Sequence, residues 1–340
     1  MTEPPGHWYS REEMRRFPGM LILGAVVVFA QSPPVPIIRV PVRLVTVPVL
    51  VFDADGRLAL NLPARDFHVL DEGRPQKISF DYVSAPVSIA LVVQEGRDVR
   101  DYVAFIRKVG SVVDALLVGE TGEAAVVTYG SEVKVVKPFD SGEVSAALKA
   151  LSTTGRGARM IDAGVTAIRL LRERPPSRDR VIVWIGQSRD SGSESALAAL
   201  QELAEKQNIS VYAIALPEAG KAFVSDTFSI RGPTFEERGG FTGGADLGNL
   251  IEVLRNAGAA AQSTDPFTSM TGATGGTQFH VRKQQELETA LSAIGVELRS
   301  LYLLSFTPAS APPGRHRITV QVDRPGARVF ARPGYWLGAE

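Results

Sequence analysis

The sequence predicts an α/β protein: a doubly wound, mostly parallel, Rossmann-like sheet with a small β-sheet subdomain formed by both termini. The first observation is a set of continuous apolar runs, at 87–93, 181–185 and 211–216, typical of strands buried on both faces. The second is that segments with apolar residues at helical spacing separate these runs, so that strands and helices alternate. Right-handed crossovers between the strands would make the sheet doubly wound. The third is the β-branched, helix-free character of both ends, which predicts strands there.

Residues 85–300 are expected to form the α/β domain. Strands are predicted at 87–93, 123–129, 133–136, 181–185 and 211–216, and helices at 99–117, 141–151, 161–174, 193–208 and 284–299. The segment 218–277 is rich in Gly, Thr and Ser. It predicts a long loop, functional rather than core, that contains one helix at 247–261.

The two ends are expected to meet in one β-sheet subdomain made of residues 37–84 and 301–336. Pro41 and Pro48 place segments of its first strand at an edge or at bends, because proline cannot donate a ladder hydrogen bond. Turns are predicted at Asp55-Gly56 and Glu72-Gly73. The strands are expected at 37–53, 66–70, 76–82, 301–306, 317–322 and 329–331.

The first 30 residues predict a secretory signal peptide. Arg15 and Arg16 precede the apolar run 20–30, which is short for a membrane span, and a polar, proline-rich stretch follows at 31–36. An uncleaved N-terminal anchor is the alternative, and it is the one route by which the chain would touch a membrane. The protein is therefore expected to be exported, as a periplasmic, cell-surface or extracellular protein.

Composition excludes several classes of function. The chain has 340 residues, and its 37 basic residues balance 37 acidic residues, so no overall field draws it to nucleic acid. It contains no cysteine, which excludes disulfides, thiol catalysis and thiolate zinc sites.

The order of elements resembles a von Willebrand factor A-type (VWA) domain, and the flanks resemble the VWA-related family abundant in acidobacteria. The opening flank carries Asp55-Gly56-Arg57 and then the segment 66–76, DFHVLDEGRPQ. The closing flank carries the segment 302–308, YLLSFTP, and later Arg332-Pro333-Gly334-Tyr335. Gly314-Arg315-His316-Arg317-Ile318 and Thr274-Gly275-Gly276 also fit, so the resemblance covers nearly all of 40–336.

The resemblance implies a divalent-cation site at the carboxyl ends of the strands, and this sequence departs from it at every expected ligand. The family places Asp-x-Ser-x-Ser after the first strand, a threonine in a later Gly-rich loop and an aspartate after the fourth strand. Such oxygen ligands suit Mg²⁺. Here Gln94, Gly96 and Asp98 occupy the first motif, Ala158 replaces the threonine and Gln187 stands at the last aspartate. No Mg²⁺ or Mn²⁺ site of the family type, and no other cofactor, is expected.

The charges around these positions leave two alternatives open. Glu95, Asp98 and Asp190 could regroup into a displaced metal site. Alternatively, arginines on the same face could pair bidentately with a partner's carboxylate, unless they are simply solvated surface groups. The arginines nearby in sequence are Arg97, Arg156, Arg159 and Arg189. The predicted partner-binding residues are these four arginines together with the acidic residues Glu95, Asp98 and Asp190.

The sequence gives little support to an enzyme. Gly186-Gln187-Ser188-Arg189-Asp190 resembles a nucleophile elbow at a strand end, but Asp190 stands where a glycine is needed. The Gly-rich stretch 239–244 lacks the Gly-Lys-Ser/Thr of a phosphate-binding loop. The expected function is binding of an unidentified protein partner at the carboxyl-end loops, without catalysis. The alternatives are metal-dependent adhesion and a structural scaffold with an inert loop face.

Overall fold

A computed structural model describes residues 44–81, 86–139, 142–217, 235–236, 240–241, 265–308 and 312–338, all within one compact unit, Val42–Glu340. The predicted signal peptide, the strand residues before 44, and the predicted helix 247–261 lie outside the described residues. In the part of the chain that is described, no helix is both long and apolar enough to span a bilayer.

The described chain contains sixteen strands and seven α-helices. The strands are β1 (Val45–Phe52), β2 (Phe67–Asp71), β3 (Arg74–Gln76), β4 (Ile78–Asp81), β5 (Val87–Gln94), β6 (Glu123–Tyr129), β7 (Val133–Lys137), β8 (Asp179–Gly186), β9 (Ile209–Ala215), β10 (Phe235–Glu236), β11 (Gly240–Phe241), β12 (Gln278–His280), β13 (Tyr302–Phe306), β14 (Gly314–Val322), β15 (Arg328–Ala331) and β16 (Gly334–Leu337). The helices are α1 (Arg100–Ile106), α2 (Gly110–Val112), which continues as π-helical turns over Val113–Val118, α3 (Val144–Lys149), α4 (Met160–Arg172), α5 (Leu197–Lys206), α6 (Pro266–Thr274) and α7 (Gln284–Arg299).

The centre of the α/β part is a six-stranded sheet in the order β12-β9-β8-β5-β6-β7. Every neighbouring pair is parallel except β6–β7 at one edge. Successive residues of β5 face opposite helical layers: Leu91 packs toward α1, α3 and α7, while Val92 packs toward α4, α5 and α6. Burial on both faces explains the continuous apolar runs. The predicted fold class, a doubly wound and mostly parallel sheet, is confirmed.

The strands from both ends form two sheets. One has the order β15-β1-β13-β4 and the other β16-β14-β2-β3. A shared core lies between them, with Val47, Val69 and Leu304 almost fully buried. The strand predicted at 76–82 breaks at the exposed Lys77, because β3 and β4 belong to different sheets.

Pro48 was expected at an edge or at a bend, and its strand β1 lies between two partner strands. Pro48 itself pairs with Leu303 of β13, and the pairing of β1 with β15 begins only at Val49. The proline therefore has a neighbouring strand on one side only, so its missing N–H breaks no ladder on the other side.

Besides the two-residue strands β10 and β11, the helix α6 occurs where a loop was predicted, within 218–277, and strand β12 follows directly after that segment. Helix α6 begins with Asp265 as its cap, whose carboxylate accepts a hydrogen bond from the Thr268 N–H at 2.8 Å, and with Pro266 in its first turn. It ends at Gly275, whose φ of +79° suits glycine. Strand β12 then pairs in parallel with β9.

Two further predictions need correction. The helix expected at 99–117 is interrupted between α1 and α2, where a Cβ on Gly110 would lie 2.4 Å from the Cα of Ser145. Strand β16, Gly334–Leu337, pairs with β14 and was not predicted, because four residues with adjacent glycine and proline carry little periodic signal.

Candidate functional site at the carboxyl-end loops

Three loops converge at the carboxyl ends of β5 and β8, and the backbone holds them together. We call them the first loop (95–98), the second loop (151–159) and the third loop (187–193). The Arg97 N–H donates to the carbonyl of Gly155 at 3.0 Å, joining the first and second loops. Ala158 and Ser191 exchange two backbone hydrogen bonds, of 3.3 and 2.8 Å, joining the second and third loops. The three loops that carry the family's ligand positions are thus joined to one another by backbone hydrogen bonds.

Gly96 is required by this arrangement. Its φ is +108°, a conformation that side chains disfavour, and a Cβ there would lie 3.4 Å from the carbonyl oxygens of Thr154 and Gly155. A serine at this position would strain the backbone and press against the second loop. The glycine that stands in place of the family's serine therefore allows the first and second loops to pack together.

Gln94 and Gln187 are buried and turned toward protein groups. The Oε1 of Gln94 accepts a hydrogen bond from the backbone N–H of Gln187 at 2.7 Å. The Nε2 of Gln187 donates to the carbonyls of Asp98 at 3.3 Å and Pro217 at 3.1 Å. We call this pair the amide clasp. The Nε2 of Gln94 is buried with no hydrogen-bond partner among the described residues.

A divalent cation does not fit these residues. The one side-chain oxygen that Gln94 offers is occupied by a backbone N–H, and the Gln187 amide presents its donor end to two carbonyls. Ala158 is fully buried and has no oxygen in its side chain. The two amides bring no negative charge, and their bonds to the protein compete with any bond to a cation, which prefers carboxylate and free carbonyl oxygens.

The structure also separates the acidic residues of the displaced-site alternative. Glu95 accepts from the Ser152 N–H at 2.8 Å, and Asp190 accepts from the Ile161 N–H at 3.0 Å, at the start of α4. Asp98 instead lies 3.6 Å from the Arg189 guanidinium. Among the described residues, no three acidic or histidine side chains are grouped so that they could hold a metal ion.

Arg159 is bound to acidic side chains of α4 and of the segment after the third loop. Its guanidinium binds Asp162 at 2.8 Å and Glu194 at 3.0 Å. Partial burial alone would raise the pKa of Asp162. Hydrogen bonds from the Ser195 hydroxyl, from the N–H groups of Glu194 and Ser195, and from Arg159 nevertheless lower that pKa to about 2. Of the predicted partner-binding arginines, Arg159 contacts two acidic side chains of the chain itself, and Arg189 contacts one, Asp98.

The other three predicted arginines line an open cavity of about 500 Å³. They are Arg97, Arg156 and Arg189, all exposed. Arg100, in the first turn of α1, joins them and was missed by the sequence analysis. The signal that could have found it is its spacing, because Arg97 and Arg100 are three residues apart at the start of a predicted helix. Asp98 and Gly157 complete the lining.

Ser188 does not have the surroundings of a nucleophile. Its hydroxyl accepts a hydrogen bond from the Phe267 N–H at 3.0 Å, at the start of α6. Within the described ranges no histidine ring is hydrogen-bonded to Ser188, whose side chain instead hydrogen-bonds the Asp265 carboxylate at the cap of α6. The resemblance to a nucleophile elbow reflects a capping role for this serine.

Comparison with known proteins gives fold-level similarity only. No family model and no curated protein matches the chain. Among solved structures, a von Willebrand factor type A protein from Catenulispora acidiphila is 9% identical over 89% of this chain and 76% of that chain, with a TM-score of 0.43. The conserved hypothetical protein BatB from Bacteroides thetaiotaomicron is 13% identical over 62% of this chain and 97% of that chain (TM-score 0.41). An aerotolerance-related membrane protein from Bacteroides fragilis is 15% identical, covering 62% and 98% (TM-score 0.39). The order and direction of the six central strands, with helices on both faces, give the α/β part of this chain a VWA-like fold.

Proposed function

We propose that this chain is an exported, non-enzymatic, protein-binding domain that contacts its partner through the three carboxyl-end loops without a divalent cation. The observation that carries the proposal is the amide clasp, because Gln94 and Gln187 fill the metal-binding positions with bonded, uncharged groups.

The construction of the loops supports a binding role. Ligands of open parallel sheets gather at the carboxyl ends of the strands, where the three loops lie. Backbone hydrogen bonds already fix these loops relative to one another, so little ordering is needed when a partner binds. The capping role of Ser188 argues against a hydrolase at the same surface.

Export is part of the proposal and rests on the sequence. The basic pair Arg15 and Arg16, the apolar run 20–30 and the polar stretch 31–36 have the order of a secretory signal. N-terminal sequencing of the protein recovered outside the cytoplasm would test it. A mature chain beginning after residue 30 is expected, and an intact N-terminus on a membrane-bound protein would favour the anchor.

The absence of a metal requirement is tested by isothermal titration of the full chain with Mg²⁺ and Mn²⁺. No saturable uptake in the micromolar range is expected. Sub-micromolar uptake would contradict the proposal and revive metal-dependent adhesion through other oxygens.

The binding face is tested by co-purification of partners from the exported fraction of the cells that make this protein. Thr153 is exposed on the second loop, and Thr289 is exposed on α7. Partner recovery should persist in EDTA, fall sharply with Thr153→Trp and survive the control Thr289→Trp. Equal recovery with both variants would place the partner elsewhere, as in the scaffold alternative.

A further inference from the structure

We propose that the cavity between the first, second and third loops is an anion site that takes one or two carboxylates of an acidic segment on the partner protein. We call it the arginine cavity; its four cationic side chains are Arg97, Arg100, Arg156 and Arg189. This inference rests on the proposed function and names the chemistry of the partner.

The first support is the imbalance of charge. Asp98 lies 3.6 Å from Arg189, and Asp101 lies 3.5 Å from Arg100. Arg97 and Arg156 have no acidic side chain within salt-bridge distance in the described parts of the chain. Among the described residues, two guanidinium groups around one cavity are therefore left without an anion, and an incoming anion would also relieve their mutual repulsion.

The second support is geometry. The hydrogen bond from the Arg97 N–H to the Gly155 carbonyl places Arg97 beside Arg156, the next residue of the second loop. The two side chains thus start from adjacent, fixed backbones. A guanidinium is planar and offers parallel N–H donors that match the two oxygens of a carboxylate.

The third support is the limited amount of charge. Two unpaired arginines suit one or two carboxylates, whereas nucleic acid is bound by extended basic stripes that neutralise many phosphates. The balanced overall charge of the chain also provides no such stripe. A cavity of about 500 Å³ accommodates one or two acidic side chains. An acidic protein segment is the partner that fits.

The experiment measures fluorescence anisotropy of a labelled hexa-aspartate peptide titrated with the full chain at about 50 mM salt, where screening is weak. Arg97→Gln with Arg156→Gln removes the two unpaired charges. The matched control is Arg169→Gln with Arg172→Gln, which removes two exposed charges of α4 outside the cavity. Circular dichroism and melting confirm that both variants are folded.

We expect the cavity variant to weaken peptide binding about tenfold to hundredfold, because hydrogen bonds between charged groups are lost. The control variant should change the dissociation constant of the peptide less than about twofold, since its two charges lie outside the cavity and act on the peptide only through screened, long-range electrostatics. An uncharged hexa-asparagine peptide should not bind. Equal weakening in both variants, or none in either, would overturn the arginine cavity as a specific site.

Two further arms separate the alternatives. Tripolyphosphate that displaces the peptide more effectively than free hexa-aspartate would overturn the carboxylate preference in favour of a phosphate ligand. If hexa-aspartate does not bind while Thr153→Trp still abolishes partner recovery, the arginine cavity fails and the proposed function stands. If Thr153→Trp leaves partner recovery unchanged, the proposed function is contradicted, whatever the result with the peptide.

Discussion

Single side chains set the chemistry of the loop face. The amide clasp joins β5 to the third loop through groups that carry no charge, so the interior below the loops holds no carboxylate. Acidic side chains nearby stabilise the loops themselves: Glu95 holds the second loop, and Asp190 caps α4. The arginines outside are left as the main charges facing solvent.

An acid at position 94 should destabilise the protein rather than restore a metal site. Gln94 is fully buried, and an aspartate there is shorter, loses the 2.7 Å bond to the Gln187 N–H and buries an unpaired charge. Gln94→Asp is expected to lower the free energy of unfolding by about 2–4 kcal/mol, measured by urea denaturation. The control is Gln285→Asp, at an exposed position at the start of α7. It should change the free energy of unfolding by less than about 0.5 kcal/mol. Stabilisation of Gln94→Asp by Mg²⁺ would contradict this account.

Asp162 should contribute stability that is lost in acid. Its folded pKa of about 2 lies below the ordinary value of 3.8, so the carboxylate stabilises the fold fully above about pH 4. That contribution disappears as the pH falls toward 2. Asp162→Asn should be less stable than the natural protein by about 1–3 kcal/mol at pH 6, and the gap should close toward pH 2. A difference in the free energy of unfolding that is constant from pH 6 to pH 2 would show that the charge of Asp162 is not involved. Asp101→Asn, at an exposed position, is the control.

The sequence identified most residues of this surface but not their partners. Gln94, Gln187 and the arginines were found because a parallel sheet brings the ends of its strands to one edge. The different surroundings of Arg159 could not be predicted, since they depend on Asp162 of α4 and on Glu194, which follows the third loop. Hydrogen-bond partners of this kind depend on exact loop geometry.

At the scale of elements, periodicity predicted the long strands and helices of the α/β part and missed the short ones. The strand β12 has three residues, too few to show alternation, and Gly-rich sequence surrounds it. The helix α6 carries recognisable end signals in Asp265, Pro266 and Gly275, but composition outweighed them in the prediction. Likewise, short strands at the ends indicated β structure without indicating that two sheets would form.

Gly275 should be indispensable because of close packing as well as its backbone conformation. Gly275 and Gly73 have nearly equal φ angles, +79° and +78°. A Cβ on Gly275 would lie 2.6 Å from the Arg332 nitrogen, whereas a Cβ on Gly73 would meet nothing within 4 Å. Gly73→Ala should therefore cost about 1–2 kcal/mol from strain alone, and Gly275→Ala about 2 kcal/mol more. Equal losses in urea denaturation would show that the contact can relax.

At the scale of the whole molecule, the two sheets at the ends and the α/β part meet around buried ionisable groups. Glu297 of α7 is 2% exposed and Arg332 is 9% exposed, and both line a cavity of about 20 Å³ between β1, β9 and β15. Burial raises the pKa of Asp179, at the start of β8, to about 6, although the charge of Arg332 opposes this. On the surface, Arg315 of β14 binds Glu205 of α5 at 2.8 Å.

Glu297 should make the whole protein less stable as the pH rises. Burial raises its pKa to about 8, although a hydrogen bond from the Thr277 hydroxyl acts in the opposite direction. The ordinary value is 4.5, so between about pH 4.5 and pH 8 the folded chain holds a proton that the unfolded chain has released. The free energy of unfolding must therefore fall across this range. This sign is opposite to that for Asp162.

Glu297→Gln keeps the size and the acceptor oxygen of the side chain but cannot ionise. Its stability should match that of the natural protein near pH 5 and exceed it by a few kcal/mol at pH 8–9, where the folded natural protein must either hold the proton of Glu297 or bury its negative charge. Urea denaturation at pH 5, 6, 7, 8 and 9 measures the difference. A residual slope below about pH 6 is expected in both proteins, because Asp179 titrates with the same sign. Parallel curves from pH 5 to pH 9 would mean that a neighbouring positive charge keeps Glu297 ionised, and Arg332, buried in the same cavity, would then be its counter-ion.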